Sequence, residues 1–159
     1  MLRLKLICLG KLKENFWREA EKEYLKRLQV FAKVEIIELK EESFDEKIPT
    51  EIIKLKEAEK IKKALDKIKD AFVIVLDEHG KQFSSIAFSK YLFEVAVRGN
   101  GDFVFVIGGP LGLDESILKI ANLKLSFSSF TFTHQMIRVF LFEQIYRAMM
   151  IEGGRQYHY

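Results

Sequence analysis

The residues able to do chemistry gather at a few places in this chain. They are Asp77, the glycine run from Gly108 to Gly112, Ser128, Ser129 and Thr131, His134 with Arg138, and the tail Arg155-Gln156-Tyr157-His158-Tyr159. Most fall near predicted strand ends. Glycine admits close backbone approach, so the set suits a neutral-to-cationic small molecule gripped largely by backbone groups. Arg138, Arg155 and the histidines are then left for an anionic partner. A bare strand–turn–helix also explains the glycines, which are common in α/β turns. Several other chemistries find no support. His79, His134 and His158 have no carboxylate or cysteine at ligand spacing, so no metal is expected. There is no serine nucleophile elbow and no P-loop lysine motif. The glycine run lacks the G-x-G-x-x-G pattern and follows the fourth predicted strand, which argues against a dinucleotide fold of the usual order.

Alternating strands and helices must position these groups. Residues 2–9 begin with strict apolar–polar alternation and read as a strand closed by Gly10. Residues 13–31 read as a helix with Phe16, Ala20 and Tyr24 on one stripe, and its Lys/Glu pairs as a solvated face. Residues 34–39 form a second strand and 40–49 an exposed charged loop. Thr50 is expected to cap a helix running to residue 69. Residues 71–76 are a strand buried on both sides, with a turn at 77–81. Ser84 or Ser85 caps the next helix, which ends at Gly99. Residues 103–107, Phe-Val-Phe-Val-Ile, are the fourth strand, apolar throughout and so covered on both faces. Asp114 caps a short helix to residue 122, residues 124–126 form a fifth strand, and 134–152 the last helix. Five alternations of strand and helix predict one α/β domain, residues 1–159, around a parallel sheet.

Composition bounds the setting. With 159 residues the chain is long enough to bury one core. Its single cysteine, Cys8, falls in a predicted strand, where packing is a simpler role than reaction. The lack of a disulfide pattern predicts a cytoplasmic home, and no signal peptide or membrane span is expected. The net charge of +3 permits an RNA partner without demanding one. The last helix is apolar nearly all round, and such a helix must be buried nearly all round. A homodimer seam accounts for that, with Phe142 as a candidate interface residue. A helix at the centre of a single core accounts for it too.

Several short runs occur together, in order. They are Gly10-Lys-Leu-Lys13, the stretch Phe-Val-Phe-Val-Ile-Gly-Gly-Pro-Leu-Gly-Leu at 103–113, Leu125-Ser-Phe-Ser128, His134 with Arg138, Glu143-Gln-Ile-Tyr-Arg147, and Tyr157-His158. With them the chain resembles the ribosomal large-subunit methyltransferase H family of the SPOUT class, over essentially its whole length. The resemblance implies a parallel-sheet α/β knot, with the C-terminal segments threaded as a trefoil in roughly residues 71–159. It implies a homodimer that binds S-adenosylmethionine and methylates N3 of a pseudouridine in 23S rRNA, in the subunit-interface hairpin of the assembled ribosome. It places the cofactor on Leu76, Gly108, Phe127, Ser128, Ser129, Phe130, Thr131 and Phe132. It places the substrate side on His134, Arg138, Tyr157 and His158. His134 also reads as a helix cap or packing residue, and Arg138 as an ion-pair partner of Glu143 within the dimer. The chain departs from the family pattern twice. Thr133 stands where proline usually precedes the histidine, and Tyr159 where lysine or arginine usually follows the Tyr-His pair. A dimeric rRNA-binding module of the same fold without catalysis is the competing class, and a nucleotide-binding α/β enzyme the third.

Overall fold

The computed structural model describes residues 1–99 and 101–157. His158 and Tyr159, on which part of the tail expectation falls, lie outside the described residues. Five parallel strands run in the order β2-β1-β4-β3-β5. They are β1 (Leu2–Leu9), β2 (Ala32–Leu39), β3 (Phe72–Gln82), β4 (Asp102–Ile107) and β5 (Leu123–Ser126). The helices are α1 (Asn15–Leu28), α2 (Thr50–Leu65), α3 (Ser85–Val97), α4 (Glu115–Ile120) and α5 (His134–Glu152).

The two-residue period of a strand sorts the core into two layers. Phe103, Phe105 and Ile107 of β4 join Leu4, Leu6, Ile74 and Leu125 against α1, α3 and α5. Val104 and Val106 join Ile7, Leu9 and Val75 against α2 and α4. Both faces of β4 are therefore dry, as its unbroken apolar run requires. Burying each such large side chain contributes about 1.5–3 kcal/mol.

The caps follow local chemistry. Ser84 accepts a bond from the Ala87 amide at 3.1 Å and Asp114 one from the Ser116 amide at 2.8 Å. Thr133 accepts one from the Met136 amide at 3.3 Å, so threonine does start α5. Thr50 does not cap α2. It is the first helical residue, preceded by Pro49 at the cap position. The expected turn at 77–81 is also revised. β3 continues to Gln82, and a register shift lets both Leu76 and Lys81 face Leu125 of β5. The residues between them bulge outward. Gly80 permits this, because a Cβ there would lie 2.6 Å from the Lys124 carbonyl oxygen.

The last helix needs no second subunit to bury most of its surface. α5 lies between α1 and α3 on the sheet, and Val139, Leu141, Phe142, Ile145, Ala148, Met149 and Met150 are all buried within one chain. Phe142 is 1% exposed and belongs to the core, not to an interface. Only part of the helix, Phe140 above all, is left facing outward.

Candidate active site

The carboxyl ends of β4 and β5 and the carboxyl half of β3 open onto a cleft of about 670 Å³. Ligands of open α/β sheets bind at this end. Three segments build it. The first is the carboxyl part of β3, with Leu76, Asp77 and Glu78 on the wall. The second is the loop after β4. Its Gly112 amide donates to the Gly109 carbonyl at 3.0 Å, folding the run into a turn that Asp114 ends by capping α4. The bonds from Ser116 hold the Asp114 carboxyl below the usual carboxylate range. The third is the loop after β5, whose polar side chains are spent on shape. The Ser126 hydroxyl sits 3.0 Å from the carbonyls of both Glu78 and Ser128. Ser128 Oγ accepts from the Phe130 amide at 3.0 Å, and Thr131 Oγ1 donates to Glu78 Oε2 at 3.0 Å.

Most of the residues expected at a cofactor site meet here. Leu76, Gly108, Phe127, Ser128, Phe130, Thr131 and Phe132 line the cleft, while Ser129 is exposed and off its wall. Gly108 is also required by the fold itself. A Cβ there would lie 3.0 Å from Leu113 side-chain atoms, so glycine lets the loop fold onto its own apolar anchor. Glu78 was not anticipated. An acidic pair at the end of a buried strand was its only signal in the sequence.

His134 lies at the start of α5 and also lines the cleft. Its Nε2 is buried and has no hydrogen-bond partner among the described residues. Burial pushes its pKa below the ordinary histidine value, against the pull of the Glu41 carboxylate. A neutral imidazole lining a cleft can accept a proton or orient a polar group.

Arg138, one turn further along α5, is 5% exposed and is not on the cleft wall. Its Nε and Nη2 bond the carboxylate of Glu21 on α1, and Nη1 donates to Glu38 of β2 at 2.8 Å. Nη1 also lies 3.3 Å from Cys8 Sγ. Burial opposes the guanidinium charge, and the bonds and charges of Glu21, Cys8 and Glu38 together outweigh it, so the Arg138 pKa is raised. Burial likewise raises the Cys8 thiol to about 11 and leaves it protonated. Two expectations change. Glu21 is not part of a solvated face, and the partner of Glu143 is Arg147, at 2.6 Å, rather than Arg138.

Tyr157 is elsewhere. Its ring stands edge-on to Tyr146 at 4.9 Å, under the Arg147 guanidinium. Tyr146 is twelve residues beyond His134 on α5, roughly 18 Å along a helix. Within one chain, Tyr157 and His134 do not share a site. Among the described residues, no group of His, Cys, Asp and Glu side chains is arranged to hold a metal ion. No described helix is long and apolar enough to cross a membrane.

A parallel α/β sheet with a glycine-loop cleft at its carboxyl edge defines a class that comparison identifies. The family described as predicted SPOUT methyltransferase matches residues 2–158. The chain is 48% identical over 161 residues to ribosomal RNA large subunit methyltransferase H of Clostridium acetobutylicum, covering 99% of each protein. It is 49% identical over 160 residues to the protein of that name from Streptococcus equi subsp. zooepidemicus, again covering 99% of each. Among solved structures, a probable methylase family protein from Haemophilus influenzae Rd KW20 shares the fold. Its TM-score is 0.56 at 12% identity, over 99% of this chain and 70% of that one. The chain therefore belongs to the ribosomal RNA large subunit methyltransferase H family of the SPOUT methyltransferases.

Proposed function

We propose that this protein transfers a methyl group from S-adenosylmethionine to N3 of a pseudouridine in 23S rRNA of the assembled, cytoplasmic ribosome. The observation that carries the reading is the cleft itself, lined by the carboxylates of Asp77 and Glu78, the glycine loop and His134. Its chemistry fits the cofactor. Leu76, Ile107, Phe127 and Phe132 offer an apolar slot for an adenine ring. Ser128 and Thr131 offer hydroxyls, and Asp77 and Glu78 offer negative charge to a sulfonium and an ammonium. When bound, the cofactor supplies an already activated methyl group.

The chain's own residues then have two tasks. They hold the base in line with that group, and they handle the N3 proton. We assign the second task to His134, which lines the cleft and which burial keeps neutral. We assign Arg138 to positioning. With its donors bonded to Glu21, Glu38 and Cys8, it fixes the first turns of α5, and so His134, against α1 and β2.

The active form in this reading is a homodimer with a knotted C-terminal half. Exposed Phe130 and Phe140 give it apolar surface beside the cleft. The distance of Tyr157 from its own His134 favours a composite site, in which the tail of one subunit, His158 included, closes the cleft of the other.

The test is transfer of labelled methyl to ribosomes that lack the modification, followed by nucleoside mass spectrometry. The expected product is N3-methylated pseudouridine, formed on assembled ribosomes far better than on an isolated hairpin. A different methylated nucleoside would overturn the assigned atom. Tight rRNA binding without transfer would leave only a binding module.

A further inference from the structure

We infer that the RNA backbone crosses the cleft on the side of the β1–α1 loop, with Lys11 and Lys13 as its phosphate-binding groups. This rests on the reading of the cleft as a methyltransferase site acting on ribosomal RNA.

The loop is built to hold its shape. The Gly10 amide donates to the Leu39 carbonyl at 2.8 Å, and Gly10 takes a left-handed turn at φ +81°. Leu12 is buried and anchors the loop. Arg18 Nη1 donates at 3.0 Å to the carbonyls of Leu12 and Lys13. The Lys13 amide donates at 2.7 Å to Oε1 of Gln135, which itself lines the cleft. A short loop tied to β2, α1 and α5 at once presents Lys11 and Lys13 outward, both exposed.

Its place beside the cleft gives those charges a use. A Cβ at Gly10 would lie 3.5 Å from His134 Nε2, so the loop abuts the wall where the substrate base is expected. Asp77 and Glu78 line the same cleft from the carboxyl part of β3. β3 thus brings acid to the cleft for the cationic cofactor, and the β1–α1 loop brings base for the polyanion. Screening confines such effects to about 8 Å at physiological salt. Local placement thus decides where phosphates settle, and a net charge of +3 does not. Two carboxylates lie near the lysines. Glu14 is exposed on α1's cap, and Glu41 stands 3.7 Å from Lys13 Nζ. The Lys13 side chain is 68% exposed, and an ion pair this open is worth little in water. It leaves the ammonium available to a phosphate. Lys11 has no ion-pair partner among the described residues.

The experiment compares full-length wild type with Lys11→Gln/Lys13→Gln on ribosomes lacking the methyl group, across a series of salt concentrations. Each lysine–phosphate pair removed lowers the slope of log affinity against log salt by about one. The double variant should therefore lose about two from that slope and raise KM for ribosomes. Its kcat and its affinity for S-adenosylmethionine should be unchanged. Lys11→Arg/Lys13→Arg should restore the slope. A charge-matched control on exposed positions of α2, Lys56→Gln/Lys63→Gln, should leave it intact. A wild-type slope and KM in the glutamine loop variant would overturn the inference while methyl transfer itself stood. An equal loss in the α2 control would overturn it too. A wild type that methylates no ribosomal RNA would remove the functional reading and this inference together.

Discussion

His134 and Arg138 sit one turn apart on the same helix and face different problems. His134 lines a cleft with its Nε2 buried and unpaired among the described residues, and the sign of its pH dependence follows from that burial. The unfolded imidazole titrates near its ordinary value of 6.5, while burial holds the folded one lower. As pH falls through 6.5 the unfolded chain takes up a proton that the folded chain refuses. This group's share of stability is thus present above about pH 6.5 and lost below it. Urea unfolding at pH 7.5 and 5.5 should show a larger acid loss in wild type than in His134→Asn, and equal losses would contradict the assignment. Arg138 is the reverse case, a charge buried together with its partners. Removing it strands Glu21 and leaves Glu38 unpaired, and breaking a buried pair from one side costs about 3–5 kcal/mol. Arg138→Ala should lose stability of that order by chemical denaturation. A variant as stable as wild type would mean that the guanidinium does not hold the helix. Sequence reading found both residues but not this division of labour. Glu21 sits among the many lysines and glutamates of α1, and nothing in its spacing sets it apart from a solvated neighbour.

At the scale of elements, the alternation of apolar runs and helices was legible because each strand's period is local. β4 announced its burial by five consecutive apolar residues, and Asp114 and Ser84 announced the helices they cap. Two features were not legible. The bulge in β3 depends on the Lys124 carbonyl lying against Gly80, from a strand more than forty residues away in sequence. The surroundings of α5 depend on two helices closing over it, and the apolar circumference alone could not say whether a second subunit did so. The burial of Phe142 decides the matter for that residue. Phe142→Ala should cost about 3–5 kcal/mol as a core cavity and leave the association state unchanged. Denaturant titration and light scattering would check this, and dissociation without loss of stability would return Phe142 to an interface.

Across the whole molecule, the sheet gathers at one edge what the sequence spreads over more than fifty residues. Leu76, Gly108 and the loop from Phe127 to Phe132 meet because β3, β4 and β5 are neighbours in the order β4-β3-β5. The polar and glycine residues marked those segments in advance, but Ser129 faces solvent and Glu78 joins the wall, since loop side chains take directions that spacing does not encode. Tyr157 lies at the far end of α5 from the cleft, which is why a second subunit enters the functional reading. All of this depends on the cleft being the cofactor site. The most direct measurement is calorimetric titration of S-adenosylmethionine into wild type and Thr131→Trp. The change fills the cleft from an exposed loop position and spares the core. Wild type should bind saturably, and the variant, with unchanged circular dichroism and melting, should give no binding heat. Equal affinity in the two proteins would place the cofactor elsewhere and contradict the account.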